Sequence, residues 1–402
     1  MTELTPYDEF PVHQYSRPFS EMPVSDFNWD DGYYFGVYSA DEGVFLYTGL
    51  RVTPNADVVG CYGGVSVGGH QTTFRASRVW RPDYDTAIGP YRIRVVEPFR
   101  EIHLALEPND SGVAFDLRWL ALAPAHVEAH HFARTRGRIT TDQTRYTQGG
   151  TAEGWIEVGG RRFEVRPHAW YADRDHSWGL YEPRAPLSDP KEWLPPAEER
   201  AKRRMLRFWM PFQSRDLSGF FHFHEDEHGK AADPNDPFGT PFEGAIDFGF
   251  DGDRPRLRLV EGSRELRFQP GTRVLAGGDL VFEDEHGATW KQSFESASMP
   301  WTTFPIGYYL GTWRDGGNIH TYHGNDPVHT EWDVIDFSQQ PASHTTYDGR
   351  SYSGIHGAEY PVRVTTEGPH GVSTGMGHIE FFMHRSYKRY QPDDGVYRNA
   401  SG

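Results

Sequence analysis

In residues 101–106, and again in 113–122 beyond a polar turn, apolar side chains fall at alternate positions: Ile102, Leu104 and Leu106, then Phe115, Leu117 and Trp119, with Asp116 and Arg118 between them. A period of two puts alternate side chains on opposite faces of a strand, so such a run folds as a sheet with one face buried. The pattern recurs along most of the chain. Runs at 33–38, 44–50, 93–96 and 113–122 are rich in β-branched and aromatic residues, and turn formers separate them. The segment 155–165 reads as a hairpin, because Ile156 and Val158 alternate outward from Gly159-Gly160, a pair free to take the positive φ of a two-residue turn. With 43 glycines, 29 prolines and 15% aromatic residues, the composition suits many short strands.

The alternation breaks after residue 181. Pro183, Pro186, Pro190, Pro195 and Pro196 punctuate a polar stretch ending in Glu198-Glu199-Arg200-Ala201-Lys202-Arg203-Arg204, read as a linker closed by a short solvated helix. Strands resume at 206–212, 220–224 and 245–250. A further hairpin is expected over 257–268 around Glu261-Gly262-Ser263, and more strands at 281–283, 290–294, 308–313, 332–337, 362–366 and 378–383. At 402 residues the chain is too long for one ordinary core. The expected fold is all-β, as two antiparallel β-barrels or sandwiches over 1–185 and 205–402, joined by the Pro-rich linker 186–204. Their facing mouths or shared wall would hold a ligand.

Charge and leader signals bound the partners. Forty basic against 57 acidic residues leave a net charge of -17, which repels phosphate backbones and anionic headgroups, so no nucleic-acid partner is expected. The N-terminus carries neither a basic leader nor an apolar core, and no run of 18 apolar residues occurs, so the expectation is a cytoplasmic protein without stable membrane insertion, monomer or homodimer. Cys61 is the only cysteine, which excludes an internal disulfide.

The densest chemistry lies in Pro167–Gly179, PHAWYADRDHSWG. If the run is a strand, Tyr171, Asp173 and Asp175 share one face, and Trp170, Arg174, His176 and Trp178 the other. Two neighbouring carboxylates in a partly dry pocket raise at least one pKa and yield an acid still protonated near neutral pH. Asp175 is the expected acid, Asp173 its neighbour, and His176 the orienting group or base. Trp170, Tyr171, Trp178 and Trp209 would supply walls whose ring faces stabilise a cation by about 0.5 to 2 kcal/mol each. The competing reading makes the run a structural corner, with Asp175 holding Arg174 and Trp178 plugging a barrel end.

Two histidine clusters raise the question of a metal. His222 and His224 have the spacing that puts two imidazoles on one strand face, but His228 and Gly229 stand where a cupin glutamate would follow, so solvated charges at a hairpin end are expected. His126, Glu128, His130 and His131 lack the order of a zincin helix. No metal is assigned. Later, Gly375-Met376-Gly377-His378-Ile379-Glu380 would line the second barrel or the interface, while His329 and Glu331 are expected to face water.

The run Arg174-Asp175-His176-Ser177-Trp178-Gly179, with Arg145–Gly150 and the hairpin before it, resembles the end of the first domain in the carotenoid 1,2-hydratase/AttH-like superfamily, over about 35 residues. The resemblance implies two lipocalin-like β-barrels, a hydrophobic substrate and cofactor-free chemistry. It also implies that His176 and Trp178 match the hydratases' His-x-Trp pair. The hydratases' Tyr-x-Asp acid has no counterpart in Leu206–Gln213, so either Asp173 or Asp175 takes over the acid role or the chemistry differs. The sequence therefore leads to a cofactor-free acid–base enzyme, a lyase (hydratase or dehydratase) or isomerase. It would hydrate, dehydrate, isomerise or cyclise a lipophilic alkene, isoprenoid, steroid or aromatic substrate. The alternatives are a non-catalytic carrier of a lipophilic small molecule, and a metalloenzyme built on His222 and His224.

Overall fold

The computed structural model describes residues 4–11, 13, 15–135, 137–181, 205–231, 242–250, 254–270, 272–298, 300–303, 306–324, 327–337, 343–347, 349, 351–353, 358–384 and 387–390. The expected linker and its helix lie outside them. The fold is all-β and antiparallel, as expected, with a 3-10 turn at Pro6–Glu9 among the described residues. No helix among the described residues is long and apolar enough to cross a membrane.

The first sheet runs Tyr91–Glu97, Glu101–Leu106, Val113–Ala121, Arg138–Val158, Tyr171–Tyr181, Trp29–Ser39, Val44–Thr53, Val58–Val67 and His70–Val79, and ends on His329–Asp336. The expected hairpin is present: Val158 pairs with Arg161 across Gly159 (φ 57°) and Gly160 (φ 78°). Alternate residues of this sheet, among them Phe35, Val37, Leu104, Leu117, Trp119 and Ala172, form one core.

The second sheet closes on itself as an eight-strand barrel: Leu206–Ser214, Ser218–Glu225, Phe242–Asp247, Leu257–Phe268, Leu275–Asp284, Thr289–Ser296, Ala358–Gly368 and Gly371–Met383, the last pairing back to the first. Phe208, Phe221, Phe282, Phe294 and Ile379 fill it. Two sequence expectations fail here. Leu257–Phe268 is one continuous strand in place of a hairpin, and its register shifts between Leu259 and Glu261, so the Glu-Gly-Ser triplet is absorbed at an irregularity instead of a turn. Residues 308–313 form no strand.

The strands Leu206–Ser214 and Ser218–Glu225 have no exposed residue. Their even and odd side chains are both covered, because the outer wall of the barrel packs against the first sheet on the side away from its core. Leu206, Phe208, Met210 and Phe212 point into the barrel, leaving Arg207, Trp209 and Gln213 for the other side. Gln213 there donates to Tyr38 Oη (2.9 Å) and the Ala172 carbonyl (2.8 Å) of the first sheet. The histidines of the second strand follow the same rule, so His222 and His224 are fully buried and not solvated.

The chain then crosses back. His329–Asp336 pairs with His70–Val79, and fully buried Arg75 clasps Glu331 and Asp333 at 2.6 Å each. Glu331, expected in water, is 1% exposed for that reason.

Candidate functional site

Between the two sheets lies a cavity of about 370 Å³. Tyr34, Tyr47, Tyr62, Arg145, Asp175 and Ser177 line it from the first sheet, Arg207, Trp209, Glu359, His378 and Glu380 from the barrel, and Ile306, Tyr308, Tyr309 and Leu310 from the returning chain. Strand alternation explains the barrel's contribution. Ile379 and Phe381 belong to the barrel core, which turns His378 and Glu380 outward, and Glu359 is the cross-strand partner of Glu380.

His378 is the centre of a buried chain of polar groups. Its Nδ1 lies 2.9 Å from Asp173 Oδ2 and its Nε2 lies 2.7 Å from Glu359 Oε2. Tyr34 Oη donates to the other Asp173 oxygen at 3.2 Å and stands 3.1 Å from His378 Nδ1. All four are buried. Burial disfavours the imidazolium, but Asp173 and then Glu359 outweigh it and raise His378 to about 10. At neutral pH the ring is charged and donates from both nitrogens. Burial also lifts Glu359, to about 7, against the pull of His378 and with the help of Glu380. A carboxyl group beside a cavity with a pKa near neutrality gives and takes protons readily.

A second polar layer surrounds this chain. Glu128 accepts from Trp209 Nε1 at 3.2 Å and from Thr147 Oγ1 at 2.5 Å. Burial disfavours its charge, yet Arg145 and His222 hold it down at about 2. Arg207 donates to Glu380 at 2.6 Å. Arg51, paired with Asp30, donates to the Ser177 carbonyl at 3.0 Å and Oγ at 3.1 Å. Burial pushes His222 down to about 3. No group of three or more His, Cys, Asp or Glu among the described residues is arranged to hold a metal ion.

The central motif is a strand, Tyr171–Tyr181, and its side chains divide as alternation predicts. Asp175 lines the cavity, Asp173 lies behind it on His378, and Trp209 walls it. Tyr171 packs beside Tyr38 and Phe45 at the same sheet-to-sheet contact. The opposite face carries Arg174, His176 and Trp178. Arg174 donates to Gln148 and lies 4.9 Å from the Trp119 ring centroid. His176 Nε2 is 2.6 Å from Asp31 and its Nδ1 is 3.1 Å from Tyr146 Oη, with Trp178 beside it. Trp170 belongs to the core of the first sheet. The motif is thus split across its strand: Asp173, Asp175 and Ser177 turn toward the cavity side, and Arg174, His176 and Trp178 turn away from it. The residues sequence reasoning missed are Tyr34, Glu359 and Arg207. The one usable signal was the alternation of His378 and Glu380 about Ile379.

A sequence model described as a family of unknown function (DUF8625) matches residues 4–346. No curated protein matches the chain in sequence. Among solved structures, it is similar to kievitone hydratase from Nectria haematococca, at 11% identity and TM-score 0.43, covering 95% of this chain and 96% of that one. It is also similar to CghA bound to Sch210972, at 10% identity and TM-score 0.43, with 89% of each chain covered.

Proposed function

For this chain, which belongs to the DUF8625 family, we propose an acid–base enzyme that hydrates, dehydrates, isomerises or cyclises a lipophilic small molecule held between the two sheets. The observation that carries the reading is the buried chain Asp173–His378–Glu359 ending at an aromatic cavity. Glu359 is the proton-transferring group. His378 fixes its orientation and neutralises its charge when it ionises, and Asp173, braced by Tyr34, holds the imidazole in place.

Asp175, the acid expected from the sequence, has a different part. It stands 3.6 Å from Arg145 Nε and anchors that guanidinium at the cavity wall. Trp209, Tyr34, Tyr47 and Tyr62 give flat apolar faces to an isoprenoid, steroid or aromatic skeleton. Side-chain proton transfer of this kind requires no cofactor.

The test is a panel of lipophilic alkenes, alcohols and ketones incubated with the purified protein and followed by mass spectrometry. A turned-over compound should lose about 10² or more of its rate with Glu359→Gln, while its binding persists. Undiminished turnover in that variant overturns the assignment. Stoichiometric binding without product from any compound, and equal binding by the variant, identifies a carrier.

A further inference from the structure

Arg145 differs from the other cavity cations. Arg51 and Arg207 each donate hydrogen bonds to carboxylates. The side chain of Arg145 is 15% exposed and lines the cavity, yet its guanidinium donates no hydrogen bond among the described residues; Asp175 at 3.6 Å is an ion-pair neighbour beyond bonding distance. Five N–H donors in a partly dry cavity without an acceptor are costly unless a ligand supplies one. A planar guanidinium favours an anionic or strongly polarised oxygen.

The charges of the lining agree. Arg51, Arg145, Arg207 and His378 stand at the wall with Asp175, Glu359 and Glu380, and Asp30 and Asp173 lie behind Arg51 and His378 and away from the cavity lining. A substrate cation would meet the guanidiniums and the imidazolium at close range, whereas an oxyanion is stabilised by them.

Resting on the reading of Glu359 as the proton-transferring group, we infer that the substrate is a lipophilic carbonyl compound and that Arg145 binds the oxygen that becomes an enolate. The Glu359 carboxylate removes a proton from the carbon next to the carbonyl. The C–H electron pair becomes the C=C bond of the enolate, and the carbonyl π pair moves onto oxygen against Arg145. The proton on Glu359 then returns to the far carbon of a dienolate, which moves the double bond. Alternatively it goes to a β-hydroxyl that leaves as water. No outside oxidant or reductant enters.

The probe is 4-nitrophenol, whose ionised form is yellow and whose oxygen imitates an enolate. Added to the protein below the pH at which it ionises alone, it should turn to the phenolate, with the ionised form favoured about tenfold or more. Arg145→Gln should bind it as the neutral phenol only. Because that change removes the guanidinium beside Asp175, the paired variant Arg145→Gln with Asp175→Asn repeats the measurement with both charges removed. Neutral binding in the wild type, or a phenolate that survives in both variants, overturns the inference. A separate readout addresses Glu359: exchange of the protons next to the carbonyl of 2-tetralone in D₂O, followed by NMR. Glu359→Gln should lose exchange and keep the phenolate band. A phenolate band in the wild type without exchange refutes the Glu359 reading and leaves Arg145 as an oxyanion site. Failure of the probe to bind in either form refutes the Arg145 inference, while exchange that Glu359→Gln abolishes still upholds the Glu359 reading.

Discussion

The Nε2 of His378 stands 2.7 Å from the carboxylate of Glu359, and the two residues belong to adjacent strands of the barrel while facing out of it. Each raises a question of proton count, because His378 is lifted to about 10 and Glu359 to about 7. A group that holds its proton more tightly when folded stabilises the fold at low pH and loses that contribution as the pH rises through its folded value. Both groups act in the same direction. Stability to urea should therefore fall as the pH climbs from about 4.5 through about 7 on account of Glu359, and on through about 10 on account of His378, by on the order of a few kcal/mol. In His378→Gln the alkaline part of that decline should flatten. An unchanged slope would show that the imidazolium does not carry it.

Gly36 allows Tyr34 and Asp173 to meet. A methyl group at residue 36 would lie 2.3 Å from Tyr34 Oη and 2.4 Å from Asp173 Oδ1, so one of them must move. Gly36→Ala should displace the brace on Asp173 and lower the His378 pKa while the barrel core stays intact. Histidine NMR titration would detect the shift, and a His378 titration identical to wild type would refute the brace.

Arg75 fastens the returning strand. It is fully buried and holds two carboxylates, so Arg75→Met leaves Glu331 buried without its cation. Losing one partner of such a pair costs about 3 to 5 kcal/mol. The expected outcome is a lower denaturation midpoint together with faster amide exchange in His329–Asp336. Equal loss of protection across the first sheet would instead mean that the clasp is not local.

Much of the fold was legible because a strand writes its buried face into the sequence directly. The alternation at Ile102–Trp119, the turn at Gly159-Gly160 and the split of Asp173 from Arg174 all follow from a period of two. The site was less legible because it is made by register between distant strands. Nothing local to Glu359 tells that Glu380 lies opposite, or that His378 will reach a carboxylate 205 residues earlier in the chain. Buried polar groups misled for the same reason. Glu331, His222 and His224 read as solvated because Arg75 and the facing sheet that cover them are remote in sequence. The Glu261-Gly262-Ser263 triplet has turn composition yet lies within a strand, since its pairing with Val281–Glu283 of the neighbouring strand outweighs local propensity.

The strand His329–Asp336 borders a sheet whose other members on that path all lie before residue 182. During synthesis, which proceeds at about 5 to 20 residues per second, the edge of the first sheet at His70–Val79 stays uncovered until more than 250 further residues have been added. The barrel strands Leu206–Ser214 through Thr289–Ser296 emerge in the meantime. Completion of the amino-terminal half is thus a late event on the ribosome, and an unfinished chain presents the Gln71–Ser77 backbone as an open template for stray pairing.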